Sequence, residues 1–447
     1  MKYSKVAMSV LLALGIQAQA HATDLLEIYH AAQGQDAVFA AARAAKDAGQ
    51  EKLTQGRALM LPSVNLNANT TWNDVTVNSG TAVNVNKQYN SHGYGATLVQ
   101  PLFREQNWAL YTESELQVVQ TEAQFKVAEQ DLVLRVAQAY FDVLIAQDSV
   151  QLAAAQKTAI AEQLEQAKRN FEVGTATITD THEAQARYDL IVAQEIAAQS
   201  ALEVNRRSLQ QLINAAPGEL NPLGAAFQLE APQPANQDKW VEEAQLRNHQ
   251  VAIAQAAAEL ADKEVDRNRG GHLPTVDLVA NYSKNTTGYY SFTGTAADTT
   301  SKIVGVQLNM PLFEGGATQS RWREASANRE RARHELDNAR RNVELQTRQA
   351  YLGVVNGIAQ VQALQQALKS SESLLEASKL GHEVGVRTNL DVLNAQQQAY
   401  STRRDLYQAE YNYLISQLRL KAAVGGLAEE DLGKVNRALH WSVASRF

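Results

Sequence analysis

Residues 104–173 read REQNWALYTESELQVVQTEAQFKVAEQDLVLRVAQAYFDVLIAQDSVQLAAAQKTAIAEQLEQAKRNFEV and contain neither glycine nor proline. Helices of ordinary globular domains run about 8–20 residues. Here Val118, Phe125, Leu132, Val136, Tyr140, Phe141 and Leu144 recur at helical spacing, with polar side chains between them. At 1.5 Å per residue the stretch predicts a helix of about 105 Å, longer than any compact domain needs. It closes on Phe171-Glu172-Val173-Gly174, where glycine can stop a helix, and a second helix restarts near Thr177. The unit is a long helical hairpin with its turn at Gly174.

That hairpin has a second copy about 211 residues downstream. Leu61-Pro62-Ser63-Val64-Asn65-Leu66 matches Leu273-Pro274-Thr275-Val276-Asp277-Leu278, and Pro101-Leu102-Phe103 matches Pro311-Leu312-Phe313. Gln138-Ala139-Tyr140 matches Gln349-Ala350-Tyr351, and Glu172-Val173-Gly174 matches Glu383-Val384-Gly385. Asp180, Ala184 and Gln185 match Asp391, Ala395 and Gln396. Landmarks in one order at nearly constant spacing mark an internal repeat. Each half reads helix, strand, strand, long helix, helix. The expected organisation is residues 23–228 for the first repeat, 229–424 for the second and 425–447 for a C-terminal segment. The opening helices are expected over Asp24–Leu59 and Lys239–Arg269, and the helix after the first turn over Thr177–Ala215. The two shorter helices of a half together match the long one, so they can stack end to end beside it. The Pro-rich junction and Gly425–Phe447 would then form a belt at mid-length.

The strands alternate with period two. Val64, Leu66, Ala68, Thr70 and Trp72 share one face of 63–72, opposite Ser63, Asn65, Asn67, Asn69 and Thr71. Its partner is expected over 93–102. In the second half 275–282 and 303–312 repeat the pattern through Val276, Leu278, Ala280 and Tyr282, then Val304, Val306, Leu308, Met310 and Leu312. One apolar and one small-polar face over about ten residues is the transmembrane-barrel signature; a soluble sandwich with one wet face shares the alternation. Asn73–Gln88 and Ser283–Lys302, rich in Asn, Thr, Gly and Ser, read as exposed loops, with Tyr289, Tyr290 and Phe292 at a membrane interface or packed within the loop. Pro62, Pro101, Pro274 and Pro311 fall at strand ends, and Pro217, Pro222, Pro232 and Pro234 fall between the halves. None interrupts a helix, where each would cost about 3 kcal/mol.

Composition narrows the class. With 20% charged residues, 8 prolines and a net charge of −7 over 447 residues, the profile is that of long amphipathic helices, and the acidic balance argues against a nucleic-acid partner. No cysteine is present, so disulfides, thiolate metal sites and a lipidated N-terminal cysteine are all excluded. Lys2 and Lys5 ahead of an apolar run, Val6 to Ile16, followed by Ala18-Gln19-Ala20 and Ala20-His21-Ala22, read as a signal peptide over 1–22, cleaved after Ala20 or Ala22. No later run of 18 apolar residues occurs, so a membrane span would have to be a β-barrel. Four strands per chain cannot close one. Two chains would give eight strands, whose interior side chains fill completely; three give twelve, enough for an aqueous lumen, and the inward faces are polar. The expected fold is α+β: a trimeric 12-stranded transmembrane β-barrel continued by a long α-helical barrel of coiled-coil hairpins, with a mixed equatorial belt.

No H-E-x-x-H, G-x-S-x-G or P-loop is present, and the nine histidines, His182, His334 and His382 among them, are scattered at no ligand spacing. No catalytic, cofactor or metal site is expected. The residues that mark the halves resemble the TolC-like outer-membrane efflux proteins. These include Leu61-Pro62-Ser63, Gln138-Ala139-Tyr140-Phe141 and Phe171-Glu172-Val173-Gly174 followed by Ile178-Thr179-Asp180. They also include His272-Leu273-Pro274-Thr275, Pro311-Leu312-Phe313-Glu314-Gly315-Gly316, Val384-Gly385 with Arg387-Thr388, Asp391-Val392-Leu393, and Tyr411-Asn412-Tyr413-Leu414. The resemblance covers essentially all of the chain after residue 22. It implies a homotrimer in outer-membrane lipid, extending into the periplasm. It also implies docking, through a periplasmic adaptor (membrane fusion) protein, to an inner-membrane pump of RND, ABC or MFS type. It further implies a shared duct for drug efflux and type I secretion. The alternative is a secreted or outer-membrane coiled-coil structural protein without transport activity.

The resemblance also assigns residues. The turns at Gly174 and Gly385 become the periplasmic tips. A closed-state latch would join Arg387 to Thr179 and Asp180, with His382 at a position the family fills with tyrosine. Asp391 would face the pore as a selectivity ring, and Asn394, one turn on, would line it without adding charge. Read locally, Thr177-Ile178-Thr179-Asp180 and Thr388-Asn389-Leu390-Asp391 are also helix-capping signatures; the two roles are compatible.

Overall fold

A computed structural model describes residues 23–78, 84–224, 228–288 and 295–439. The signal-peptide reading, Tyr289, Tyr290, Phe292 and the last eight residues of the C-terminal segment lie outside them. The first half runs α1 (Leu25–Gln35), α2 (Ala37–Ala58), β1 (Ser63–Asn78), β2 (Asn84–Phe103), α3 (Glu105–Glu172) and α4 (Ile178–Ile213). The second repeats this as α5 (Gln237–Arg247), α6 (His249–Gly270), β3 (Thr275–Thr287), β4 (Ala297–Asn309), α7 (Ala317–Glu383) and α8 (Asn389–Val424), and α9 (Glu429–Ala438) follows. The long helices have 68 and 67 residues and the helices after the turns 36 each.

Two expectations need correction. Each opening helix is two helices, of 11 and 22 residues in both halves, broken at Asp36 and Asn248. Both break residues turn extended, with ψ 118° and 129°. Asp36 caps the next helix by accepting from the Phe39 N–H at 3.0 Å and from Arg135 at 2.7 Å. Asn248 donates to the Ala423 carbonyl at 2.7 Å. Second, most of the expected loops are strand. The ladder continues to the pair Asn78↔Asn84 in one hairpin and Thr287↔Ala297 in the other. Beyond the apolar band it is stitched by polar side chains: Gln88 to Asp74 at 2.9 Å, Asn90 to Thr70 at 2.9 Å, and Ser91 to Thr287 at 3.1 Å. Asn, Ser and Thr score as turn formers, yet paired across strands they hold a ladder. Conversely, β4 stops at Asn309, short of Pro311, which lacks an N–H. At Pro101 the β2–β3 register shifts before Phe103, and the bulge absorbs that proline within the strand.

The chain divides into two compact units. One takes the chain up to Ala42, Lys126–Asn248 and everything from Asn342; the other takes Arg43–Phe125 and His249–Arg341. The second unit holds an antiparallel sheet in the order β1-β2-β3-β4. Along β1 and β4 the apolar side chains are exposed: Leu66 79%, Trp72 85%, Val304 76% and Leu308 66%. Arg104 at the foot of β2 makes a two-pronged bond to Asp277 of β3, at 2.8 and 2.6 Å. Below the strands α2 and α3 pack so closely that a Cβ on Gly49 would meet Thr121 at 2.4 Å and one on Gly56 would meet Ser114 at 2.2 Å.

The first unit shows where the shorter helices meet. Tyr140, in the middle of α3 and fully buried, donates its hydroxyl to the Asn221 carbonyl at 3.0 Å and lies 3.3 Å from the Thr23 carbonyl. Thr23 opens α1 and Asn221 follows α4, so one tyrosine pins both ends to the long helix; burial pushes its phenol pKa up. Phe141 packs edge-on to Tyr140 and against Tyr411, whose hydroxyl reaches Asp148 at 2.9 Å. α9 closes the belt: Asn436 accepts from the Leu25 N–H and donates to Asp24, both at 3.0 Å.

The Asp36 break gives a test. Its hydrogen bond from Arg135 holds the carboxyl below the ordinary carboxylate range, against the opposing effect of burial. A depressed folded pKa stabilises above the unfolded value of about 3.9, and the contribution fades as pH falls through the folded value. Asp36→Asn is expected to cost about 2 kcal/mol at neutral pH, read from denaturant midpoints of detergent-solubilised protein. The gap from wild type should narrow as pH falls below about 4. A gap unchanged in acid would show that the charge of Asp36 does not matter.

Candidate functional site at the hairpin tips

Both turns are built alike because both obey the same local rules. Gly174 and Gly385 each adopt φ +78°, in the left-handed region that glycine enters without a Cβ penalty. The chain then folds back on its helix: the N–H groups of Thr175 and Ala176 donate to Asn170, and those of Val386 and Arg387 donate to Gly381. Each following helix opens with a reciprocal cap. The Thr177 N–H and hydroxyl both donate to Asp180 at 2.9 Å, and the Asp180 N–H returns to the Thr177 hydroxyl at 3.3 Å. Thr388 and Asp391 repeat this at 2.9, 2.9 and 3.2 Å. The capping reading of both Thr-x-x-Asp signatures therefore holds.

At Asp391 the hydrogen bonds from the Thr388 backbone and hydroxyl, with Arg387 nearby, hold the carboxyl below its ordinary pKa. It is a fixed negative charge at neutral pH, half-exposed at the start of α8. Arg387 leans toward it at 3.9 Å, its stem lying over Gly381, where a Cβ would stand 2.7 Å from Arg387 Cγ. Arg387 thus folds onto its own hairpin, while Thr179 stays exposed and Asp180 serves its own cap. His382, half-buried, lines a cavity of about 360 Å³ with Glu162, Gln163, Asn389, Gln396 and Tyr400.

The structure adds a residue that sequence reasoning missed. Arg187 of α4 donates to Asn394 Oδ1 at 2.9 Å and to Gln397 Oε1, both on α8. Beside this bond Leu393, 3% exposed, sits among Ile160, Leu164, Ala167, Ala184 and Ile191 of the first hairpin. Nothing local signals such a contact, because the register of one hairpin on the other is not written in either helix's periodicity. Among the described residues no group of three or more His, Cys, Asp or Glu is placed to hold a metal, and no helix is long and apolar enough to cross a membrane. The site's chemistry is charge, hydrogen bonding and packing at two helix starts.

Comparison with known proteins agrees with this architecture. The sequence profile of outer membrane efflux proteins matches residues 28–215 and again 240–426. The chain is 35% identical over 422 residues to the alkaline protease secretion protein AprF of Pseudomonas aeruginosa, covering 93% of this chain and 87% of AprF. It is 32% identical over 440 residues to the outer membrane protein TolC of Escherichia coli, covering 96% and 88%. Its fold superposes on the crystal structure of the outer membrane protein VceC of Vibrio cholerae with a TM-score of 0.76 at 18% identity, over 90% of this chain and 96% of that one. The chain belongs to the outer membrane efflux protein family, and it is an outer-membrane duct for export.

Proposed function

We propose that three copies of this chain close a twelve-stranded barrel in the outer membrane, and that the helical hairpins continue it into the periplasm. The observation that carries this is the sheet: β1 and β4 are its edges, and their apolar side chains are exposed. Lipid offers no partner for edge N–H and C=O groups, so such a sheet must pair with further copies. Twelve strands leave a lumen where eight would fill. Through the hairpin tips the trimer would meet a periplasmic adaptor and, behind it, an inner-membrane pump of RND, ABC or MFS type. The similarity to AprF, by name a protease secretion protein, supports protein export as one cargo class, beside small amphipathic drugs. Deletion of the gene should both sensitise cells to bile salts and dyes and abolish secretion of a protein substrate. Cells that lose neither would overturn the duct reading.

Within that duct, Asp391 would form the selectivity ring and Arg387 part of the closed-state latch with Thr179, Asp180 and His382, the tips at Gly174 and Gly385 framing the entrance. Three carboxylates held around one axis focus a negative field in a narrow mouth. The cap supports the idea, because it fixes each carboxylate and keeps it ionised. Two measurements on purified protein in planar bilayers test the assignments. A trivalent cation on the periplasmic side should block the wild type; Asp391→Asn should abolish the block. Asp180→Asn, which loses the same cap on the other hairpin, should keep it. Arg387→Ser should raise single-channel conductance; an unchanged value would remove Arg387 from the latch.

A further inference from the structure

We propose that Arg187 is a positioning residue of the gate: it ties α8 to the first hairpin through Asn394 and Gln397, and it sets how much charge the Asn394 position can carry. The proposal rests on the duct reading, and it comes from how the two hairpins meet. Their apolar contact near the tips is narrow. Leu393 enters a groove made by Ile160, Leu164 and Ala167 of α3 and Ala184 and Ile191 of α4. An aliphatic knob among aliphatic walls gives attraction without fixing register, since dispersion and burial are non-directional.

The two flanks of that knob differ. On one side lies the cavity of about 360 Å³ between α3 and the second hairpin. Gln163 Oε1, Asn389 Nδ2 and Gln396 Oε1 line it, are buried, and have no hydrogen-bond partner on the protein. A polar cavity of this size takes water readily, so this flank contributes little to holding the hairpins together. On the other side Arg187 bonds Asn394 and Gln397. Asn394 and Gln397 lie three residues apart, on one face of α8. A planar guanidinium spanning two acceptors fixes both distance and orientation, which a lysine ammonium cannot do. For α8 to leave α4 both bonds must break, so they bias the seam toward the arrangement described here.

The same contact bears on charge. Asn394 is the position one turn beyond Asp391, and its side-chain oxygen already accepts from a cation. A carboxylate introduced there would meet Arg187 before it met the lumen. The positive charge of Arg187 therefore stands between an acidic side chain at this position and the field of the Asp391 ring.

Single-channel recording on purified protein in planar bilayers separates these effects, with assembly checked by heat-modifiable migration. In monovalent salt Arg187→Ala should raise the population of the high-conductance state about tenfold, the scale of losing a charged hydrogen bond. Arg187→Lys should recover part of the loss, and Gln397→Ala should give a smaller rise without touching charge. With a trivalent cation, Asn394→Asp alone should deepen the block little, because Arg187 neutralises the new carboxylate; combined with Arg187→Ala it should deepen it strongly. Should Arg187→Ala fail to assemble, Gln397→Ala and the Arg187→Lys, Asn394→Asp pair still decide the matter. The proposal is overturned if Arg187→Ala and Gln397→Ala both conduct like wild type, or if the effects of Arg187 and Asn394 on block are additive. If the wild type forms no channel, the duct reading falls and this proposal with it.

Discussion

An edge strand in hydrocarbon has nowhere to send its N–H and C=O groups, and this chain brings two such edges, β1 and β4. In water those groups would bond to solvent and the exposed Trp72, Val304 and Leu308 would be the liability. In lipid the roles reverse: the apolar side chains are at home, and the unpaired backbone is what costs several kcal/mol per group. Four strands are too few to close on themselves. From this follow the need for more copies, the polar inward faces, and an exit duct shared by symmetry rather than built within one chain.

The same economy governs the helices. A helix as long as α3 could not be matched by one partner, because the chain must leave twice for the strands and return. The repeat meets this with paired short helices whose ends converge on a single buried residue. Tyr140 takes the carbonyls of Thr23 and Asn221, one from each side of the gap. In the second half Asn248 ties the break between α5 and α6 to the end of α8 through the Ala423 carbonyl. Capping residues recur at the same spacing, Asp24 with Asn236 at helix starts and Asp36 with Asn248 at the breaks. The hydrogen-bond accounting of helix ends has thus been kept in both copies while the identities of the residues drifted.

What could be read from the sequence, and what could not, divides along the range of the interactions. Gly174 and Gly385, and the caps Thr177–Asp180 and Thr388–Asp391, were legible because each signal lies within a few residues of its effect. The first long helix, Glu105–Glu172, was legible to within a residue because no glycine or proline interrupts 104–173. The breaks at Asp36 and Asn248 were not, since what holds them is Arg135 and the Ala423 carbonyl, 99 and 175 residues away. The strand ends were misjudged for a different reason: Asn73, Gln88 and Asn90 look like loop composition until cross-strand partners are supplied. Arg187 was invisible because its partners belong to the other repeat.

The two hairpin starts, finally, show how a duplicated local structure can hold unequal roles. Asp180 and Asp391 make the same bonds to their threonines. Nothing in the cap itself distinguishes them. What differs is the neighbourhood: Asp391 has Arg387 at 3.9 Å and, three residues on, Asn394 held by Arg187. The residue matching Asn394 in the first repeat is Glu183, an ionisable side chain, so the two copies differ in charge at the position the arginine reaches. A carboxylate already fixed by its helix needs no further support to present its charge. A function at Asp391 therefore requires no new backbone geometry, only a change in which side chains surround a cap that both halves already possess.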